Sequence, residues 1–513
     1  MGLTLFIIGV IGWHAGMYGM FKKAGIEPWK ALIPFYNTWC IVQVCRLPKI
    51  WFWLQLIPIA GQFTTIWITI IFVMHFGRYN TLHHAATIFL PFLYFPYLGF
   101  SKNERFVGHE VYLTYKKSST REWIDAAIFA VVAATLIRTF IFEAYTIPTP
   151  SMEKTLLVND FLFVNKVAYG PRLPKTPLSF PFVHNLMPNS QRPSYLKWIE
   201  LPYKRLPGYV EVERNDVVVF NFPLGDTVIN LPNFGSARPY YDVLRTEFGG
   251  DRNRFMEGEY GDQLLVHPTD KTDNYIKRCV GVGGDSLRVI NGVLYVNGKL
   301  AALPEGSQLL YILSLKGPVD FNAVSENLGI DFRWSQQARN TDDAIETNED
   351  ATNMLGNAKQ LLLYLAKQDA EKLRSVNGVQ SVIKYDMNQG DLFPNDTSKN
   401  WTVDNYGSIY IPKKGATTAL NADNIAFYRR LITVYEGHTL TETNGQFIID
   451  GKAATSYTFK YNYYWMMGDN RHNSQDSRFW GFVPETHVVG KASLIWFSWE
   501  HGPRWNRLFK SIK

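Results

Sequence analysis

The stretch EAYTIPTPSMEKTLLVND, Glu143 to Asp160, follows directly on an apolar run and leads into a β-like pattern. Its prolines, Pro148 and Pro150, fix their own φ angles and stiffen the passage. Ser151 stands between Pro150 and Met152, only a few residues past the apolar run. Upstream of this boundary the chain reads as membrane helices, and downstream as short strands. From Tyr145 to Ser151 the chain extends at most ~20 Å, so a spanning helix here would hold Ser151 close to the membrane surface.

Working upstream, four apolar runs occur: Leu3 to Phe21, Trp51 to Phe76, Ala85 to Phe100 and Ile124 to Tyr145. A span needs about 20 apolar residues. The third run is short and carries two prolines, so it fits an interfacial hairpin as well as a span. No Lys or Arg precedes the first run and no small-x-small site follows it, which argues against a cleavable signal peptide. Lys22, Lys23, Lys30, Arg46 and Lys49 separate the first two runs, and Lys102, Arg105, Lys116, Lys117 and Arg121 the last two. The positive-inside rule puts both loops in the cytoplasm, so with four spans everything beyond Tyr145 lies outside it. The expected organisation is a multi-span membrane region over 1–105, a cytoplasmic linker over 106–123 and an anchor helix over 124–145.

Composition agrees with a membrane protein. Aromatics make up 15% of the 513 residues, with 15 Trp, and such side chains favour boundaries between apolar and wet surroundings. The net charge of +7 is modest and scattered. It forms no basic stripe or recognition motif, so nucleic acid is not an expected partner. The three cysteines, Cys40, Cys45 and Cys279, form no C-x-x-C pair and have no histidine cluster at ligand spacing. Neither a metal site nor a disulfide framework is expected, and no cofactor.

Downstream, DFLFVNKVAYG, DVVVFNFP, SLRVINGVLYVNGK and GQFIIDGKAATSYTFKY read as closely spaced strands. The Asn-Gly in VINGVLYVNGK suits the tight primed turn of a hairpin. An antiparallel sheet domain follows from this pattern, in two parts over 146–302 and 389–513, the second ending in an aromatic, basic tail that suits a headgroup layer. Tyr169 to Tyr209, rich in Pro and aromatics, reads as a long surface loop. Between the two parts, 303–388 reads as a small α/β insertion, with helical patterning in NAKQLLLYLAKQDAEKL and a polar, mobile IETNEDAT before it.

Two further segments carry chemistry. In DNYIKRCVGVGGD a strand puts Tyr275, Lys277 and Cys279 on one face and Ile276, Arg278 and Val280 on the other. One cation of the pair Lys277–Arg278 therefore shares a face with apolar neighbours. A buried lysine loses its charge more readily than its usual pKa of about 10.4 allows, and a neutral lysine can activate a serine hydroxyl. The bland alternative is that both side chains snorkel to water. The second segment, MGDNRHNSQDSRFWGFVP, packs acids, arginines and amides between aromatics, as a fixed hydrogen-bonded network would.

These segments resemble the bacterial type I signal peptidases, membrane-bound serine proteases with a Ser–Lys dyad. PSMEKTLLVNDFLFVNK looks like the nucleophile box, RNDVVVFNFP like the next, YIKRCVGVGGD like the lysine box and GDNRHNSQDSRFWGFVP like the last, in the family's order. The implied fold is an α-helical transmembrane N-terminal region followed by an all-β, signal-peptidase-like catalytic domain with the α/β insertion. The implied nucleophile is Ser151 and the general base Lys277, with the oxyanion hole formed by the N–H of Ser151 and the hydroxyl of Thr149. Ser474 would hydrogen-bond Lys277, and Asp476, Asp469 and Arg478 would brace the last box. Ile147, Pro148 and Tyr275 would line a shallow pocket for small side chains. Glu153-Lys154 after Ser-Met, Pro150 before the serine, His472 where Asp is usual and VGGD in the lysine box depart from the family pattern. His472 leaves room for a variant Ser–His mechanism.

The resemblance implies a serine endopeptidase in the bacterial cytoplasmic membrane, its catalytic domain on the outer side, removing signal peptides from exported preproteins after small residues. Implied partners are preproteins and membrane lipid. The extra membrane spans read as an appended module, for assembly or for contact with the secretion machinery. Two alternatives stand beside this reading. One is a related self-cleaving Ser–Lys protease, disfavoured by the apolar runs. The other is a non-catalytic membrane scaffold whose outer β-domain binds export components, disfavoured by the presence of both Ser151 and Lys277.

Overall fold

The computed structural model describes all residues except Met1, 57–59, Lys117, Gln191, Leu224, Asp226, Pro232, Leu303, Glu305, 331–359, 388–391 and Asn444. The IETNEDAT segment and Lys117 therefore lie outside the described residues. The chain divides into two compact units, Met1–Leu136 and Ile137–Lys513.

In the first unit each apolar run meets a different fate. The first forms the helix Gly2–Lys23. The second is divided between Ile50–Leu54 and Ala60–Met74. The third breaks into Thr81–Phe89 and Pro91–Phe100, because Pro91 cannot donate to the preceding turn. Gly2–Lys23 packs closely on Pro91–Phe100. A Cβ on Gly19 would come within 2.8 Å of Gly99, so glycine at both positions lets the two backbones touch. Met20, Phe21, Ile41, Phe72, Phe95 and Leu98 form the core around that contact.

Among the described residues, one helix is long and apolar enough to cross a membrane: Glu122–Phe140, with mean hydropathy 1.7 and none of it buried. It belongs to the helix Ser119–Phe140. The anchor was expected to run to Tyr145, but Phe142–Thr146 is a strand. The reason is Glu143. Its carboxylate is buried in protein, taking Arg138 Nε at 2.7 Å, Lys166 Nζ at 2.7 Å and the Tyr145 hydroxyl at 2.8 Å. A carboxylate so dependent on partners ends the apolar helix.

The second unit is built on one antiparallel sheet. Its strands run in the order Phe142–Thr146, Asp160–Asn165, Val488–Ser498, Val217–Asn221, Asn274–Gly281, Tyr463–Met467 and Val483–Pro484. Lys510–Ser511 pairs onto Val488–Ser498, so the tail residues from Leu494 to Ser498 belong to this sheet. A second sheet joins Tyr406–Tyr410, Ser286–Ile290, Val293–Val296 and Lys299–Leu300. The predicted hairpin is there: Ile290 faces Val293, with Asn291 and Gly292 at φ 51° and 78°.

Between these, Gln308–Leu315, Gln360–Ala366 and Val379–Lys384 form a separate three-stranded sheet, accompanied by the helices Phe321–Leu328 and Lys367–Leu373. The helical expectation over Asn357 to Leu373 is half corrected here, since Gln360–Ala366 is a strand. Leu361, Leu363 and Leu365 all point into the core, a period of two that the leucine-rich run concealed. Among the described residues of that stretch, Lys367–Leu373, poorer in leucine, is the helical part.

Candidate active site

Asn274–Gly281 lies inside the main sheet, with Val218 opposite Lys277 and Val217 opposite Arg278. Tyr463–Met467 pairs only with its Arg278–Gly281 half. The edge from Asn274 to Lys277 is thus without a strand partner on that side among the described residues. Both cations of the strand are buried, Lys277 to 3% exposure and Arg278 to 1%. Neither snorkels to water.

Each cation has a different environment. Arg278 donates from Nε and Nη2 to the two carboxylate oxygens of Asp469, both at 2.8 Å, and from Nη1 to Asn215 O at 2.6 Å. This planar fork on a buried carboxylate is fully charge-compensated. Lys277 has no carboxylate in contact among the described residues. Its Nζ donates to Ser151 Oγ at 2.7 Å and to Ile276 O at 3.0 Å. Burial pushes the Lys277 ammonium down to about 8, against the raising pull of Asp476 and Asp469.

Ser151 sits in a short turn, Pro150–Met152, opened by the two prolines and held by the last box. Asn470 N–H donates to Ser151 O at 3.1 Å, and its side-chain amide donates to Pro150 O at 3.4 Å. Gly468 lies beneath: a Cβ there would stand 2.5 Å from Ser151 O and 2.2 Å from Ser474 Oγ. Only glycine lets the two segments approach so closely. Asp469 also accepts from the Thr155 hydroxyl at 2.5 Å, tying the residues after Ser151 to the same carboxylate that holds Arg278.

The remaining expected residues divide into those that converge and those that do not. Thr149 Oγ1 is 3.4 Å from Ser151 Oγ. Asp476 takes Arg478 Nε at 2.9 Å and Nη2 at 2.8 Å, and accepts from Gly468 N–H at 3.1 Å. Burial alone would raise the Asp476 carboxyl, yet Arg478 and these N–H groups hold it below its ordinary range. Of the three bracing residues, Asp476 and Arg478 pair with each other, and Asp469 pairs with Arg278 instead. Ser474 is a correction. Its hydroxyl donates to Gln475 O at 3.4 Å and makes no hydrogen bond to Lys277, because it is packed against Gly468. Tyr275 is half-buried, its ring 4.8 Å from Phe222 and 5.3 Å from Trp480. Pro148 is exposed, whereas Ile147 is buried and packs with Met152, Leu156 and Leu162. His472 is bound at both ring nitrogens, to Leu310 N–H and to Asp404. This leaves it no role as the base for Ser151.

A model of the signal peptidase family, peptidase S26, matches residues 120–311 and 410–499 of this chain. The chain belongs to that family. It is therefore a type I signal peptidase and a serine endopeptidase, and the scaffold and self-cleaving alternatives fall away. A signal peptidase I of Haemophilus influenzae is 26% identical over 405 residues, covering 77% of each chain. One from Buchnera aphidicola subsp. Acyrthosiphon pisum is 24% identical over 391 residues, 75% of this chain and 79% of its own. One from Aquifex aeolicus is 23% identical over 388 residues, 74% and 84% respectively. Residues 29–109 of the peptidase match a second model, a family of unknown function (DUF5684). The matched peptidase segments contain Ser151, Lys277 and the whole last box. Residues 312–409, with most of the insertion, lie between them.

Proposed function

We propose that Ser151 and Lys277 are the catalytic dyad of this signal peptidase and that it cleaves preproteins after small residues through an acyl-enzyme. The observation that carries this is the 2.7 Å contact between Lys277 Nζ and Ser151 Oγ, both largely withdrawn from water. With its ammonium lowered to about 8, Lys277 is neutral often enough near physiological pH to accept a proton. The Ser151 proton passes to Nζ as Oγ attacks the scissile carbonyl carbon. The C–N bond then breaks, and Lys277 returns the proton to the departing amine of the mature chain. The signal peptide remains as an ester on Ser151 until water, deprotonated by Lys277, releases it. The Ser151 N–H and Thr149 hydroxyl receive the developing oxyanion.

Substrate adds as an extended strand along the unpaired Asn274–Lys277 edge and the chain leading to Thr149. Tyr275 and Pro148 flank the scissile residue. Glu122–Phe140 anchors the enzyme in the cytoplasmic membrane, and the apolar runs before it form a further membrane region, as the distribution of basic residues supports. The catalytic domain then faces the outer side. Trp499, Trp505 and Phe509 are exposed at 47%, 72% and 68%, in keeping with a tail that rests on lipid headgroups.

The test is cleavage of a preprotein by purified wild type, Ser151→Ala and Lys277→Ala in detergent. Both variants are expected to lose cleavage by on the order of 10⁴-fold while remaining folded. Activity surviving in either folded variant would overturn the dyad.

A further inference from the structure

The loop Asp469–His472 has the nucleophile on one side and the insertion on the other. On the insertion side, Gln308 N–H donates to Asp469 O at 2.9 Å, and Arg471 N–H donates to Gln308 O at 2.8 Å. The first strand of the insertion is thereby paired, in parallel, with Asn470. Next to it, Leu310 N–H donates to His472 Nδ1 at 3.1 Å. An accepting Nδ1 fixes the tautomer, so the proton sits on Nε2, which donates to Asp404 Oδ1 at 2.8 Å. The two side chains are exposed by 0% and 2%. The other oxygen of Asp404 accepts from Lys384 Nζ at 3.1 Å, on the last strand of the insertion. His472 and Lys384 together hold the Asp404 carboxyl low, although burial alone would raise it.

On the nucleophile side, the N–H of Asn470 carries the Ser151 carbonyl. A displaced loop would therefore displace Ser151 relative to Lys277. Asp404 and Lys384 both lie outside the segments that the peptidase family model matches. Asp404, a buried acid outside the matched segments, is thus bonded to a residue of the last box.

We propose that His472, Asp404 and the Gln308–Leu310 end of the insertion strand are positioning residues for Ser151. They fix the loop through which Asn470 holds the nucleophile, so the insertion is part of the active-site scaffold. The inference rests on the reading of Ser151 as nucleophile. Its test compares variants that all retain Ser151 and Lys277, so a failure of the dyad would be seen separately in their alanine variants.

The decisive substitution is His472→Asp, which sets a second buried carboxylate against Asp404. Like charges at that distance repel, and the loop must move or one acid must take up a proton. Thermal midpoint, kcat, KM and the rate of Ser151 phosphonylation by a serine-directed fluorophosphonate, with loss of fluoride, are measured for His472→Asp and for the exchange His472→Asp with Asp404→His. Expected for the single variant is a fall in kcat and in phosphonylation rate of about 10- to 100-fold, the scale of a misplaced reacting group, with KM little changed. The exchange restores an acid facing an imidazole and is expected to recover most of the lost rate. Wild-type kcat in His472→Asp overturns the proposal, as does a folded exchange variant no faster than the single one. If His472→Asp does not fold, His472→Asn keeps an acceptor for Leu310 N–H and loses the link to Asp404. A severalfold lower kcat is expected there, and an unchanged one overturns the proposal.

Discussion

The catalytic sheet and the insertion sheet are held together in opposite ways. The insertion closes over an apolar core of Leu313, Phe321, Leu361, Leu363, Leu373 and Val382. The catalytic sheet has its apolar clusters too, but it buries Lys277, Arg278, Asp469, Asp476 and Arg478 between them. Such burial costs free energy unless every charge is paired. Arg278 and Arg478 each have a carboxylate in bidentate contact, whereas Lys277 has a hydroxyl and a carbonyl. The difference teaches where the chemistry is. Arg278 and Arg478 are compensated by carboxylates, whereas Lys277, in contact with Ser151 and lacking one, gives up its proton more readily.

The largest expected effect lies in the compensated pairs. Asp469→Ala leaves Arg278 buried without its carboxylate and is expected to destabilise the domain by about 3–5 kcal/mol in urea unfolding. In the insertion core, Leu313→Ala is expected to cost about 2–4 kcal/mol through the cavity left behind. Its kcat per folded molecule should change little, since Leu313 touches neither the loop nor the dyad. A Leu313→Ala variant that lost catalysis in proportion to stability would erase the contrast between the two sheets.

Lys277→Met sharpens the contrast from the other direction. The folded pKa of Lys277, about 8, lies below its ordinary 10.5, so between those values the unfolded chain binds more protons. Stability therefore rises with pH across that window, and below it the buried lysine is a full burden. At pH 7 the variant is expected to be inactive and more stable than wild type, by as much as about 3 kcal/mol. The gain should shrink as pH approaches 10.5. The smallest effect is expected from Gly468→Ala, whose methyl meets Ser151 O and Ser474 Oγ. A fall in kcat of about tenfold, with KM near wild type, would fit a nucleophile turn pushed out of place.

Much of this arrangement was legible in the sequence because it is local. Pro148, Pro150 and Ser151 sit in one short stretch, and Lys277 stands on a strand whose alternation is plain. The Asn291-Gly292 turn was readable for the same reason. What could not be read is what depends on contact across distance. Lys277 reaches a serine 126 positions away. Asp469 was placed with Asp476 and Arg478 by resemblance, and only the fold gives it Arg278. Ser474 was assigned a bond to Lys277 by resemblance, while the closeness of Gly468 turns its hydroxyl elsewhere. Local reading also failed at Gln360–Ala366, where Leu362 between Leu361 and Leu363 hid a period of two. At the end of the anchor, Glu143 was counted within an apolar run although its partners Arg138 and Lys166 make it part of the sheet domain. The departure at His472 acquires its reason only from Asp404, 68 positions away.

We propose that Lys277, its ammonium lowered by burial, is the base that activates Ser151. The pH dependence of kcat/KM for preprotein cleavage tests it most directly. The rate is expected to climb tenfold per pH unit on the acid side and to level off above an ionisation of about 8, as Lys277 becomes neutral. A profile that is flat through that region, or that levels off near pH 6 as a histidine base would give, would contradict it.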